Sequence, residues 1–125
     1  HAISAVAPFY YKFSFKEIKD HYFKIVEGNS LPMIVYNVPS RTGVNIAPAT
    51  YTKLAQIPNV VAVKEANGNI SSVVETMSLV QGKLDMYSGN DDQIVPILSM
   101  GGAGCISVLS NITVFTKFKR LDACL

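Results

Sequence analysis

A single lysine, Lys64, closes the apolar run Val60-Val61-Ala62-Val63 and leads into the turn Glu65-Ala66-Asn67-Gly68. An amine at the end of a buried strand is either a solvent-reaching side chain with a packed stem or a nucleophile drawn out of water by its surroundings. Polar groups end the other apolar runs as well: Tyr10 and Tyr11, then Tyr36-Asn37 with Arg41 beyond, then Ser88-Gly89-Asn90, then Ser107 and Ser110. If those runs are parallel strands, all these groups meet at the carboxyl edge, where α/β proteins bind ligands. The mouth would carry a lysine, tyrosines able to act as acids or bases, an arginine and a glycine turn. Each has a plainer reading too: tyrosines as amphipathic caps on a core, and Arg41 as an ordinary surface charge in the loop from Pro39 to Gly43.

Other chemistries lack their residues. The glycines of "GGAG", Gly101 to Gly104, precede their strand and so lie at the opposite, stability-related face, where a turn is expected rather than a phosphate cradle. Gly89-Asn90-Asp91 is acidic beyond its glycine, which repels phosphate. His1 and His21 have no metal-ligand spacing, and no Gly-x-Ser-x-Gly turn or Ser/His/Asp set supports hydrolysis.

The elements that must position these groups follow from hydrophobic period and chain breakers. Strands are expected over Ile3 to Ala7, Met33 to Val38, Val60 to Lys64, Leu84 to Tyr87 and Cys105 to Leu109. Ser14 with Glu17 three residues on is a capping box, and Phe15, Ile18, Tyr22 and Ile25 recur at helical spacing up to Gly28-Asn29. Pro48 opens a short helix with Tyr51, Leu54 and Ala55 on one face, ended before Pro58. A third helix is expected from Ile70 to Gln81 with Val73, Val74, Met77 and Val80 inward, a fourth from Asp92 to Met100 despite Pro96, and a fifth after Thr113.

Five apolar strands alternating with helices describe one α/β domain over residues 1–125, with a parallel sheet covered on both faces. An open doubly wound sheet and part of an eight-stranded (β/α) barrel both fit. A complete barrel needs about 250 residues, so this chain would supply about half, and its start at His1 suggests a piece of something longer. The 125 residues are 49% hydrophobic and 16% charged, which suits a buried core rather than disorder. A net charge of +2 with dispersed signs gives no footprint for nucleic acid or an anionic membrane. No apolar run approaches the roughly 18 to 20 residues that cross a bilayer, so a cytosolic protein is the expectation. Cys105 and Cys124 form neither a disulfide framework nor a metal site.

The motifs "YNVPSRTG" (Tyr36 to Gly43), "VAVKEANGN" (Val61 to Asn69), "YSGNDDQ" and "GCISVLSN" closely resemble the dihydrodipicolinate synthase and N-acetylneuraminate lyase family of pyruvate-dependent class I aldolases. Tyr36 and Lys64 stand 28 residues apart (64 − 36), the family's interval between its tyrosine and its imine-forming lysine. The resemblance runs from "AISAVAPFYY" to "CISVLSN" and weakens from about Val114. It implies strands four to eight of a (β/α)8 TIM barrel, and so favours the partial barrel over the open sheet.

By the same resemblance Lys64 forms a covalent imine with pyruvate, with no cofactor and no metal. A lysine ionises near 10.4, and lowering it to roughly 7 to 8 by burial, a change of about 4 kcal/mol, would free the amine, with Val61 and Val63 as apolar walls. Tyr36 would be the general acid and base, and Tyr10 would complete a proton relay across a subunit interface, implying a homo-oligomer. Arg41 would grip a substrate carboxylate. Gly89 and the Ile106 carbonyl would be backbone contacts to substrate. Arg41 and "KEANGN" favour the synthase branch, which condenses pyruvate with aspartate semialdehyde; "AISAVAPFYYKFSFKEIKDHY" is closer to the lyases. The family's first three strands carry a carboxylate-binding turn that these residues do not contain, so a non-catalytic half-barrel is the rival expectation.

Overall fold

A computed structural model describes residues 1–112. Five strands, β1 (Ile3–Val6), β2 (Met33–Asn37), β3 (Val60–Glu65), β4 (Asp85–Ser88) and β5 (Gly104–Cys105), form one parallel sheet in the order β1-β2-β3-β4-β5. Every crossover therefore advances the same way around the sheet. A doubly wound sheet reverses its strand order at a switch point, and a (β/α) barrel never does. The topology thus decides for the barrel.

The helices line up in the same sense on one face. Those long enough to pack are α1 (Phe15–Val26), α3 (Pro48–Leu54), α4 (Ile70–Val80) and α5 (Ile94–Ser99), each meeting the next. The core lies between them and the sheet, with Tyr22, Tyr51, Leu54, Val35, Val63 and Ile97 fully enclosed. The capping box opens α1 as expected: the Glu17 N–H donates to Ser14 Oγ, and the Ser14 N–H donates to Glu17 Oε2 at 2.7 Å. The Ser14 hydroxyl, which donates to Glu17 Oε2 at 2.6 Å, and then the Ser14 N–H hold the Glu17 carboxyl below its ordinary range. Within α1 the buried stripe is Ile18, Tyr22 and Val26, while Phe15 stays on the solvent side. In α4 Val74 is exposed and Thr76 takes the inward place, its hydroxyl donating to the Ser72 carbonyl at 2.8 Å.

Other boundaries differ from expectation for local reasons. The segment from Pro39 is a one-turn helix, α2 (Pro39–Thr42), because proline suits a first turn and Gly43, at φ 70°, closes it. α5 is preceded by a 3₁₀ turn over Asp91–Gln93 and accepts Pro96 within its first turn, where the N–H has no partner within the helix. The last strand ends at Cys105 instead of reaching Leu109. Ser110 donates its N–H to Ser107 Oγ and its hydroxyl to the Ser107 carbonyl, so side chains displace the ladder and Leu109–Asn111 coils into a 3₁₀ turn. Gly101 and Gly102 do form the α5–β5 turn, where a Cβ on Gly102 would fall 2.7 Å from the Ile97 carbonyl oxygen. The helix expected after Thr113 and Cys124 lie outside the described residues.

One irregularity sets the phase of the whole sheet. Met33 pairs with Val60 but Ile34 pairs with Ala62, so Val61 is an extra residue, a bulge, and points to solvent. From Ala62 onward the alternation is inverted relative to an unbroken strand. Val63 and Glu65 then face the helices, and Ala62 and Lys64 face the barrel interior.

Candidate active site

The strand register lines up Val6, Tyr36, Lys64, Tyr87 and Gly104 as one row across the inward face of the sheet. Side chains that share a row and a face lie side by side. Lys64 Nζ stands over the Tyr36 ring, 4.0 Å from its centre, an attractive placement for any cation at that nitrogen. On the next strand Gly89 crowds the lysine stem: a Cβ there would meet Lys64 Cε at 3.2 Å, the Glu65 carbonyl oxygen at 3.0 Å and Ala66 Cβ at 2.8 Å. Only glycine fits that position without displacing backbone, and its own N–H donates to the Glu65 carbonyl at 2.7 Å. Tyr87 completes the row on the far side of Lys64, its ring lying against the open side of Gly104. It was legible as a strand end but not as a neighbour of the lysine.

The walls of Lys64 are not those expected. Val61 is the exposed bulge residue and Val63 belongs to the helix-side core, and the amine is half-buried between Tyr36 and Gly89.

Behind this row, on the helix side of the same two strand ends, lies a buried polar cluster. Glu65 is 1% exposed. Its Oε1 accepts from Asn37 Nδ2 at 2.8 Å and from the Asn67 N–H at 2.9 Å, and its Oε2 accepts from the Tyr51 hydroxyl at 3.0 Å. Asn37 is equally committed: Nδ2 also donates to Asn45 Oδ1 at 2.9 Å, and Oδ1 accepts the Ile46 N–H at 3.2 Å. Burial pushes the Glu65 carboxyl up to about 7, against the opposing pull of the Tyr51 hydroxyl, the Asn67 N–H, the Asn37 amide and the Ala66 N–H. The Tyr51 hydroxyl is raised by burial and then by the facing Glu65 carboxylate.

Of the remaining residues, Ile106 lies beside Gly89's strand, donating its N–H to the Ser88 carbonyl at 2.9 Å. Arg41 projects into solvent from α2, whose base is tied by Arg41 and Thr42 N–H groups donating to the Val38 carbonyl. Tyr10 stands away from the row. It is 85% exposed at φ 90° and makes an edge-on contact with Tyr11. The structure therefore brings Tyr36, Lys64 and Gly89 together, sets Ile106 alongside, and leaves Arg41 and Tyr10 in the loops above. Asp91 and Ser107, joined by a hydrogen bond from the serine hydroxyl, were not expected to meet. Among the described residues no three His, Cys, Asp or Glu side chains gather to hold a metal, and no helix is long and apolar enough to cross a membrane.

An unreversed parallel sheet with a lysine and a tyrosine paired at its carboxyl edge defines a segment of a (β/α)8 barrel with an inward-facing amine. The chain belongs to the dihydrodipicolinate synthetase family, whose model matches residues 1–119. It is 55% identical over 107 residues to the 4-hydroxy-tetrahydrodipicolinate synthase of Caldicellulosiruptor bescii, covering 86% of this chain and 36% of that protein. It is 51% identical over 110 residues to the enzyme of the same name from Clostridium novyi, covering 88% and 37%. The chloride-inhibited dihydrodipicolinate synthase of Acinetobacter baumannii, solved with pyruvate, superimposes with a TM-score of 0.86 at 38% identity, covering 90% of this chain and 39% of that one. The chain thus spans little more than a third of the length of the relatives it matches.

The Glu65 cluster makes stability depend on pH in a defined direction. An unfolded glutamate ionises near 4.5 while the folded one holds its proton to about 7, so between these values the unfolded chain has released a proton that the folded chain still binds. The contribution of Glu65 is fully present below pH 4.5 and is lost as pH rises to 7, a change on the order of 3 kcal/mol. The urea midpoint of the wild type is expected to fall between pH 5 and pH 8, and Glu65→Gln to remove most of that fall. Superimposable pH dependences for the two proteins would refute the assignment.

Proposed function

We propose that this chain carries the imine-forming part of a 4-hydroxy-tetrahydrodipicolinate synthase, condensing pyruvate with aspartate semialdehyde. The observation that carries the reading is the pairing of Tyr36 with Lys64 across β2 and β3, with the amine 4.0 Å from the ring centre at the sheet's ligand-binding edge. The synthase names of the relatives and the pyruvate held by the Acinetobacter enzyme support the choice of substrates.

In this reading the neutral Lys64 amine adds to the ketone carbon of pyruvate, water leaves with the ketone oxygen, and the imine nitrogen keeps a proton taken up from solvent, giving a protonated imine. The imine withdraws electrons from the adjacent methyl group, which loses a proton to form an enamine, and the enamine carbon then bonds to the aldehyde carbon of the second substrate. No cofactor is needed, because the imine is the electron sink. Tyr36 moves protons to and from the substrate oxygens. The Tyr36 ring face that seats a lysine cation suits the imine cation equally well. Gly89 and the Ile106 carbonyl border the substrate where a side chain would obstruct it. Arg41, free of the core on α2, grips the carboxylate of the aldehyde substrate. Tyr10, held at a positive φ and flanked by the exposed Phe9 and Tyr11, reaches the site of a second subunit rather than its own. The inward face of the sheet is open at Lys64, so strands supplied by the rest of the barrel complete the desolvation that the amine needs.

Borohydride reduction of the full-length protein with pyruvate is expected to add one reduced pyruvate at Lys64 by mass spectrometry, and Lys64→Ala to add none; an adduct elsewhere, or none in the wild type, would overturn the reading. Loss of a charge-assisted carboxylate contact costs about 1.5 to 3 kcal/mol. Arg41→Ala should therefore raise KM for aspartate semialdehyde by roughly 10- to 100-fold while leaving pyruvate adduct formation intact, and unchanged KM would remove Arg41 from the site.

A further inference from the structure

We propose that Glu65 is a positioning residue for the imine chemistry: its carboxylate, held by Asn37, Tyr51 and the Asn67 N–H, clamps the ends of β2 and β3 and so fixes Lys64 against Tyr36. The proposal rests on the reading of Lys64 as the imine-forming residue and extends it to residues on the opposite face of the sheet. The geometry is direct. Asn37 follows Tyr36 and Glu65 follows Lys64, and in the register Tyr36 faces Lys64 while Asn37 faces Glu65. Consecutive strand residues point to opposite faces, so the buried Asn37–Glu65 hydrogen bond at 2.8 Å is the cross-strand tie next to the reactive pair, on the helix side of the sheet.

The clamp reaches further than the two strands. Through its backbone carbonyl Glu65 accepts the Gly89 N–H, which seats the glycine against the lysine stem. Through Asn37 it is linked to Asn45 and Ile46, the segment that follows α2 and Arg41. A single residue, by its carboxylate and its backbone carbonyl, thus joins the strand ends and loops that carry Tyr36, Lys64, Gly89 and Arg41. An ionised carboxylate accepts on both oxygens, and the three donors all point at it. Protonation puts a donor where the Tyr51 hydroxyl now donates, and that corner must rearrange. From α3 the titratable group at Glu65 is Tyr51, with Tyr22 of α1 behind it; β2 and the β3–α4 turn contribute the neutral Asn37 side chain and the Asn67 N–H, and Ser88, paired to Glu65 on β4, is neutral. Lys64 itself faces the other way.

The test is the single-turnover rate of pyruvate adduct formation in the full-length protein, trapped by borohydride and followed from pH 5.5 to 9. The wild type should lose rate on the acid side, the Glu65 carboxyl with its midpoint near 7 contributing to the fall. Glu65→Ala should slow adduct formation at least ~10-fold at its optimum, as expected for a misplaced nucleophile, with circular dichroism unchanged. Glu65→Gln, which keeps the shape and two acceptor contacts, should restore the rate to within a few-fold and make the fall on the acid side less steep. Tyr51→Phe removes a donor that favours the carboxylate and should move that midpoint to higher pH. This last variant reads out the clamp even if Glu65→Ala fails to fold. Glu65→Gln and Tyr51→Phe profiles superimposable on the wild type would overturn the proposal. An adduct that survives Lys64→Ala would instead overturn the imine reading itself.

Discussion

The phase of β3 against β2 is the constraint on which the site depends. Side chains alternate along a strand, so a slip of one residue would send Lys64 into the helix layer and Glu65 into the barrel. The extra residue at Val61 absorbs the mismatch between the start of the strand, where Val60 must join the helix-side core, and its end, where Lys64 must face inward. A buried ammonium among Leu54, Val63 and Val73 would have no partner and would cost several kcal/mol. Placing the amine inward and the carboxylate helix-side gives each a fitting environment: Lys64 a ring face at the open side of the sheet, Glu65 three hydrogen-bond donors.

The two faces of the same strand ends therefore perform different work. The inward row, Tyr36, Lys64 and Tyr87, is half-buried and presents its polar ends to the mouth of the barrel. The helix-side row, Asn37, Glu65 and Ser88, is buried and saturated with hydrogen bonds to its surroundings. Reactive groups that must meet substrate are mobile only within limits set by what stands behind them. A raised carboxyl pKa in the second row is the energetic cost of that rigidity, since Glu65 gives up water for three neutral donors instead of a cation.

Much of this was legible in the sequence. Parallel strands covered on both faces read as apolar runs, so all five were found, and Ser14 with Glu17 announced α1 through hydrogen bonds that need no tertiary context. The polar groups that end the apolar runs, Tyr36, Lys64 and Gly89 among them, were read at one edge of the sheet. What escaped had no local signal. Two adjacent valines, Val60 and Val61, give no hint that one of them is a bulge, which puts Val63 on the helix side rather than beside the lysine. The shortening of β5 depends on serine side chains that bond their own turn. Glu65, next after Lys64, must turn to the far face of its strand, but what receives it there comes from Tyr51 and Asn37, which sequence order does not bring near. A usable signal was present all the same: a carboxylate on the helix-covered face of a strand must find donors, and Asn37 stands at the same interval from Glu65 as Tyr36 does from Lys64.

The central claim is that the register of β2 and β3 delivers the Lys64 amine and the Tyr36 side chain to one substrate atom. A crystal structure of the full-length protein soaked with pyruvate tests this most directly. The account predicts unbroken electron density from Lys64 Nζ to the central carbon of pyruvate, with the Tyr36 hydroxyl within hydrogen-bond reach of the adduct. Pyruvate bound without a covalent link to Lys64, or an adduct with Tyr36 turned away from it, would contradict the account.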